Sequence, residues 1–99
     1  MAKRHHIATH DKLSSAPAVV STSIISETVV LDPVSDKYFS LEGVGPRIWE
    51  LLQESTTLAA LNETILKEYE VDEVTCERDV RALVGELVES GLVIHEPIE

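Results

Sequence analysis

The chain has 99 residues, of which 43% are hydrophobic and 26% charged, and its formal net charge is −10. This length supports one hydrophobic core, and no apolar run approaches the roughly 18 residues that a transmembrane helix requires. The single cysteine excludes an internal disulfide, and no apolar segment follows the basic N-terminus. We therefore expect a cytoplasmic protein without a secretory signal and without a membrane partner.

The negative charge is concentrated in the C-terminal part of the chain. Residues 1–41 contain four acidic and four basic residues, so the whole net charge of −10 lies in residues 42–99. Such a surface repels nucleic acid and attracts cationic partners, although a purely solubilising surface is the simpler interpretation.

The first 15 residues are polar and show no periodicity, so we predict a flexible N-terminal arm over residues 1–15 and one domain over residues 16–96. The arm contains three of the four histidines, but it has no cysteine and only Asp11 as an acidic neighbour. We therefore interpret it as a solvated segment and predict no metal site.

Three segments rich in β-branched and aromatic residues predict the strands of an antiparallel meander. They cover residues 18–25, 28–31 and 37–41. Between the last two segments, residues 32–36 supply the aspartate, proline and serine of a tight turn.

Apolar spacing and capping residues predict three helices after the meander. Pro46 suits the first turn of the first helix, which we expect to reach about Glu54. Thr57 and Asp72 are predicted N-caps of the second and third helices. Gly91 then occupies the left-handed position of a Schellman motif at the end of the third helix.

The predicted order is β-β-β-α-α-α, with residues 92–95 as a possible short final strand. The fold class is therefore α+β, with a three-stranded antiparallel sheet packed on three helices in a winged helix-turn-helix-like arrangement. A winged-helix DNA-binding regulator is the alternative function that this architecture suggests. However, the predicted third helix carries five acidic and two basic residues, which disfavours contacts with phosphates.

No group of residues in the sequence predicts catalysis. Cys76 and His95 could pair as a thiol nucleophile and its base, but Cys76 falls on the apolar side of the third helix. A small buried hydrophobe is the simpler explanation for a cysteine in that position. We therefore predict that the protein is not an enzyme and has no cofactor.

The third strand, residues 37–41, is the best candidate for a binding edge. An edge strand carries unpaired N–H and C=O groups, and an extended peptide can add to it as a further strand. Alternation places Phe39 and Leu41 on one face of this strand, towards a groove that the third helix would close. Two alternatives stay open: Phe39 is simply a core residue, or the edge strands pair two copies of the chain.

Four short motifs occur in a distinctive order. They are Val30-Leu31-Asp32, Lys37-Tyr38-Phe39-Ser40-Leu41, Ile48-Trp49-Glu50-Leu51-Leu52, and Arg78-Asp79-Val80 followed by Leu83, Leu87 and Gly91-Leu92-Val93. Their order and spacing resemble the PqqD-like family, the precursor-recognition elements of ribosomally made and post-translationally modified peptides. The resemblance covers roughly residues 12–95. One departure is Glu42, where the family commonly has asparagine, so the start of the first helix and the mouth of the groove are expected to differ.

The resemblance implies that the protein binds the leader segment of a precursor peptide as an added strand, against the third helix. A separate chain of this size is similar to the recognition proteins of lasso-peptide pathways, which act beside a leader peptidase and an ATP-dependent cyclase. Their leaders often carry a Tyr-x-x-Pro motif. We expect a monomer or a weak dimer. Carried over by position, the peptide-binding residues are Lys37, Tyr38, Phe39, Ser40, Leu41, Asp79, Ala82, Leu83 and Glu86.

Overall fold

Five strands and three helices follow one another along residues 6–24 and 27–98, the residues that the computed structural model describes. In chain order they are β1 (Lys12–Ser15), β2 (Val20–Ile24), β3 (Glu27–Asp32), β4 (Lys37–Leu41), α1 (Gly45–Leu51), α2 (Leu58–Glu68), α3 (Glu73–Glu89) and β5 (Val93–Glu96). The predicted α+β class, with three strands followed by three helices, is confirmed. The structure adds β1, and the short final strand is present as β5.

Strands β2, β3 and β4 form an antiparallel sheet in that order, so β2 and β4 are its two edges. The β3–β4 hairpin closes where the predicted turn lies. The Asp32 carboxylate accepts hydrogen bonds from the Val34 N–H and the Ser35 hydroxyl, each at 3.0 Å. Asp36 adopts a left-handed φ of 64°, which aspartate tolerates better than most residues, and its N–H bonds to the Asp32 carbonyl at 2.8 Å. The turn therefore fixes the register of β4 against β3.

Helix α1 begins at Gly45, with Pro46 in its first turn as predicted, and it ends at Leu51, three residues before the predicted Glu54. Gly45 allows a close approach between the helix and the end of β4. A Cβ atom at this position would lie 3.0 Å from the Cβ of Leu41. The start of α1 is therefore packed directly onto the last residue of the edge strand.

The N-caps of the two longer helices are the predicted residues. The Thr57 hydroxyl accepts a hydrogen bond from the Ala60 N–H at 3.1 Å, and the Asp72 carboxylate accepts one from the Thr75 N–H at 3.1 Å. The hydrogen bonds from Thr75 lower the pKa of Asp72. Each cap satisfies an N–H group that the first turn of a helix leaves without an intrahelical partner.

The end of α3 is a Schellman motif, as predicted. Gly91 has a φ of 80°, the Leu92 N–H bonds to the Leu87 carbonyl at 2.9 Å, and the Gly91 N–H bonds to the Val88 carbonyl at 3.0 Å. This left-handed turn directs the chain from α3 into β5. Leu87 and Leu92 are both fully buried, so the turn also closes one side of the core.

The hydrophobic core receives residues from the sheet, all three helices and the N-terminal segment. None of the helices in the described part of the chain is long and apolar enough to span a membrane. The largest fully buried side chains are Leu13, Ile48, Leu52, Leu58, Leu61, Ile65, Leu87, Leu92, Val30, Val80 and Val84.

Residues 6–15 of the predicted flexible arm are packed against the domain, and residues 1–5 of that arm lie outside the described residues. Within residues 6–15, Ile7 is 2% exposed and Leu13 is fully buried. Leu13 exchanges two backbone hydrogen bonds with Thr56, at 2.8 and 2.9 Å, and β1 pairs with β5 in a second, two-stranded sheet. This packing has no periodic signature in the sequence, because Ile7 and Leu13 are isolated apolar residues and β1 has only four residues.

A buried, hydrogen-bonded pair joins the two ends of the chain. Asp11 is 4% exposed, and its carboxylate lies 2.8 Å from Nε2 of His95. The same carboxylate accepts hydrogen bonds from the N–H groups of Ala8 at 2.9 Å and Ile98 at 3.1 Å. These interactions, with His95 contributing most, lower the pKa of Asp11 to about 2. Asp11 therefore holds the N-terminal segment against the C-terminal strand.

Acid is expected to weaken the folded state through Asp11. Its pKa falls from 3.8 to about 2 on folding, so the unfolded chain binds more protons between those pH values. The stabilisation is complete above about pH 4 and is lost as the pH approaches about 2. We expect the difference in Tm between the wild type and Asp11→Asn, followed by circular dichroism, to be largest near neutral pH and to shrink below about pH 4. A difference that stays constant over this range would contradict the prediction.

Candidate functional site

Strand β4 has an open edge. It pairs with β3 from Lys37 opposite Asp32 to Leu41 opposite Thr28, and no strand of the described residues pairs with its other side. Along an antiparallel strand, successive residues direct their N–H and C=O groups to opposite edges. Every second residue of β4 therefore presents unpaired backbone groups to an approaching chain.

The side chains of β4 alternate between the core and the solvent. Leu41 is 3% exposed, and Phe39 is partly buried against the core. Tyr38 is 69% exposed, and Lys37 and Ser40 are also exposed. The Ser40 hydroxyl donates a hydrogen bond to the Glu27 carboxylate on β3. The open edge thus has an apolar inner face and a polar, aromatic outer face.

The predicted residues of α3 lie on one flank of the helix, at positions spaced by three and four residues. Leu83 is partly buried and packs against the core, whereas Asp79, Ala82 and Glu86 are exposed. Leu83 and Phe39 therefore lie at the margin of the same hydrophobic core. Within the described residues, no hydrogen bond or ion pair joins the predicted residues of β4 to those of α3.

The acidic charge of α3 is only partly neutralised. The Asp79 carboxylate lies 3.3 Å from Nε of Arg78, and the Glu77 carboxylate lies 2.9 Å from Nε of Arg81. Arg81 also donates a hydrogen bond to the backbone carbonyl of Ile7. Both arginines of the helix are therefore engaged. Glu86 has no ion-pair partner among the described residues, so it is the charge on this flank that a cationic ligand can meet.

The structure does not bring Cys76 and His95 together. The Cys76 Sγ atom lies 3.6 Å from the Asn62 side-chain oxygen, whereas His95 contacts Asp11. Burial and the neighbouring carboxylates, Asp79 first, raise the pKa of the Cys76 thiol. A buried thiol with a raised pKa is a poor nucleophile at neutral pH.

An open hollow of about 440 Å³ lies between β2 and α1. None of the predicted peptide-binding residues lines it. The indole N–H of Trp49 is buried beside this hollow without a hydrogen-bond partner among the described residues. Sequence reasoning missed the hollow because its walls come from segments far apart in the chain. They include Ser21, Ser23, Thr28, Arg47, Trp49 and Tyr69.

Arg47 forms one wall of the hollow and fixes α1 against the end of α2. Its guanidinium group donates two hydrogen bonds to the Glu68 carboxylate and one to the Glu50 carboxylate, all at 2.9 Å. These interactions raise the pKa of Arg47, and the hydrogen bonds from Arg47 lower the pKa of Glu68. Three of its five N–H donors bond to carboxylates of the protein, so Arg47 has a structural role here.

Two solved structures are similar to this chain. One is TbiB1 in complex with the TbiA(beta) leader peptide, which is 39% identical over 81% of this chain and 93% of that chain, with a TM-score of 0.74. The other is lasso peptide synthetase B1 complexed with the leader peptide, which is 28% identical over 83% of this chain and 96% of that chain, with a TM-score of 0.72. A search of curated protein sequences gave no significant match.

The sequence profile of one family also matches the chain. It is described as coenzyme PQQ synthesis protein D (PqqD), and it matches residues 27–93. The matched segment runs from the first residue of β3 to the first residue of β5, and so includes the open edge of β4 and the whole of α3. The chain therefore belongs to the PqqD family.

Proposed function

We propose that this protein binds the leader segment of a ribosomally made precursor peptide by adding it as a strand to β4, against α3. The open edge of β4, with Phe39 and Leu41 on its inner face, is the observation that carries this proposal. The two similar structures, both of complexes with leader peptides, support it. The proposed contacts are Lys37, Tyr38, Phe39, Ser40, Leu41, Asp79, Ala82, Leu83 and Glu86.

Affinity and selectivity would come from different parts of this site. Backbone hydrogen bonds to β4 stabilise any extended peptide, because they make little use of its side chains. Phe39 and Leu83, at the margin of the core, would receive apolar side chains of the leader. The carboxylate of Glu86, which has no ion-pair partner among the described residues, would favour a leader that carries lysine or arginine.

We propose further that the protein presents the bound leader to a leader peptidase and an ATP-dependent cyclase of a lasso-peptide pathway in the cytoplasm. In this role it is a binding protein without catalysis of its own. The similarity to lasso peptide synthetase B1 supports this pathway among those that use precursor-recognition elements.

A titration with two probes tests the proposed function. The first is a fluorescein-labelled leader from the precursor peptide encoded beside this protein, and the second is a labelled DNA duplex at low salt. We expect saturable anisotropy changes with the leader and none with DNA, because α3 is acidic and its arginines are engaged. Binding of DNA without binding of the leader would favour the winged-helix regulator instead.

Binding of a basic leader is expected to depend on salt and on Glu86. Raising NaCl from about 0.05 M to about 0.5 M should weaken the leader affinity, because salt screens exposed charges. Glu86→Gln should weaken it by roughly two- to fivefold, the range for one exposed ion pair. Anisotropy titrations measure both effects. Glu89→Gln removes the same charge from the next turn of α3 and is expected to have a smaller effect. An affinity that neither salt nor Glu86→Gln alters would assign the acidic residues to solubility alone.

A further inference from the structure

Strand β2, the second edge of the three-stranded sheet, lacks the features that protect exposed edges. Its residues Val20–Ile24 have the sequence Val-Ser-Thr-Ser-Ile, without a charged residue, a proline or a glycine. Its register with β3 is continuous, so it contains no bulge. Soluble proteins usually guard an edge strand with charges, prolines or bulges. Since 26% of the residues of the chain are charged, the absence of charge from this exposed edge is typical of a strand that pairs with a further strand.

The sequence of β2 is nearly the same in both directions about Thr22. If two copies of β2 pair in antiparallel fashion about this residue, Val20 lies opposite Ile24 of the second copy and Ser21 lies opposite Ser23. A two-fold interface requires such self-complementarity, because the same surface is used on both sides. Opposed hydroxyl and β-branched residues are favourable cross-strand pairs, and no like charges meet.

The surroundings of β2 leave space for a second strand. Val20 is 54% exposed, and Ser21, Thr22 and Ser23 are exposed. Ser21 and Ser23 line the open hollow beside α1, where the buried indole N–H of Trp49 has no partner among the described residues. A strand along β2 would cover this hollow and bring further polar groups to it.

We propose that two copies of this protein associate by antiparallel pairing of their β2 strands about Thr22, which joins their three-stranded sheets into one of six strands. The two β4 edges then lie at the outer ends of the joined sheet, and each stays open. The interface is therefore separate from the proposed leader site, and its existence does not depend on leader binding.

The association is expected to be weak and to strengthen with salt. One pair of five-residue strands buries less than the roughly 1,200 Å² of a stable interface, so we expect a dissociation constant of roughly 0.1–1 mM. Each copy carries a net charge of −10, and added salt screens their mutual repulsion. This salt dependence is opposite in sign to the one expected for a basic leader.

Sedimentation equilibrium of the full chain from about 20 μM to about 2 mM, at low and high NaCl, tests the proposal. Thr22→Glu and Thr22→Lys each place two like charges opposite one another on the two-fold axis, so both should weaken the dimer by roughly tenfold or more. Because they change the net charge in opposite directions, comparing them separates repulsion at the two-fold axis from the effect of the overall charge of the chain. Thr22 is exposed, so both variants are expected to keep the Tm of the wild type.

Tyr38→Glu is the matched control, because it adds the same charge as Thr22→Glu to the opposite edge strand. We expect it to leave the dimer constant within about twofold. A wild-type chain that stays monomeric at about 2 mM in high salt would overturn the proposal. A dimer that Tyr38→Glu weakens as much as Thr22→Glu would also overturn it, because the pairing would then involve β4.

Discussion

Proline introduced at Lys37 and, separately, at Tyr38 is expected to separate folding from leader binding. These neighbours direct their N–H groups to opposite edges of β4, so one proline removes a hydrogen bond to β3 and the other removes one offered to the leader. The ring of proline also fixes its φ at about −65°, which differs from the φ of an extended strand and so disturbs the pairing next to it. Both side chains are exposed, so their own loss should matter little to the fold.

One of the two proline variants should therefore lose stability, by about 1 kcal/mol or more. The other should keep its Tm and bind the leader at least about 30-fold more weakly, the equivalent of about 2 kcal/mol from one lost hydrogen bond and the disturbed pairing next to it. Thermal unfolding and anisotropy titration measure the two effects. Lys37→Ala and Tyr38→Ala control for the side chains. If the variant that stays folded also retains full affinity, the leader does not add to β4.

Leu13→Ala is expected to be among the most destabilising single changes in the chain. Leu13 is fully buried, and its backbone bonds to Thr56 in both directions. Truncation of a buried leucine leaves a cavity and costs about 2–5 kcal/mol of unfolding free energy. In a domain of this size the Tm should fall by at least about 10 °C.

Val34→Ala is the control for Leu13→Ala, because Val34 is 86% exposed in the β3–β4 turn. Its unfolding free energy should stay within about 0.5 kcal/mol of the wild type. Urea unfolding followed by circular dichroism measures both variants. If Leu13→Ala behaved like Val34→Ala, residues 6–15 would act as the flexible arm that their composition predicts, and the packing of β1 would contribute nothing.

The features that could be predicted from the sequence are those that depend on neighbouring residues. Thr57 and Asp72 cap helices whose N–H groups lie three residues further on, and Gly91 supplies a backbone angle that few other residues adopt. The turn at residues 32–36 is equally local. Each of these signals is a particular residue type at a fixed distance along the chain from the group that it bonds or the turn that it forms. These helix ends and the hairpin could therefore be predicted from them.

The features that could not be predicted depend on contacts between distant parts of the chain. Leu13 pairs with His95, and the carboxylate of Asp11 meets the ring of the same histidine. No residue near Leu13 indicates this partner, because a single leucine in a polar segment has no periodicity. The hollow beside Trp49 was missed for the same reason, since only the folded chain brings Ser21 and Tyr69 to it.

The candidate site could be predicted only in part. The strand pattern alone pointed to β4 as an edge, whereas the flank of α3 came from resemblance to a family. The structure adds a distinction that the sequence did not contain. Asp79 is paired with Arg78, whereas Glu86 has no ion-pair partner within residues 6–24 and 27–98, so the two predicted acidic contacts are unequal.

The pairing of β1 with β5 makes the first and last strands of the chain neighbours in space. Lys12 lies opposite Glu96, and their side chains form an ion pair at 3.5 Å. The N–H groups of Ala8 and Ile98 both bond to the Asp11 carboxylate, so the chain enters and leaves the described fold at neighbouring points. A short linker could join them without disturbing the core, and domains with adjacent ends tolerate circular permutation and insertion into a loop of another protein. The fold could therefore be carried within a larger enzyme through a single point of attachment, while β4 stayed open.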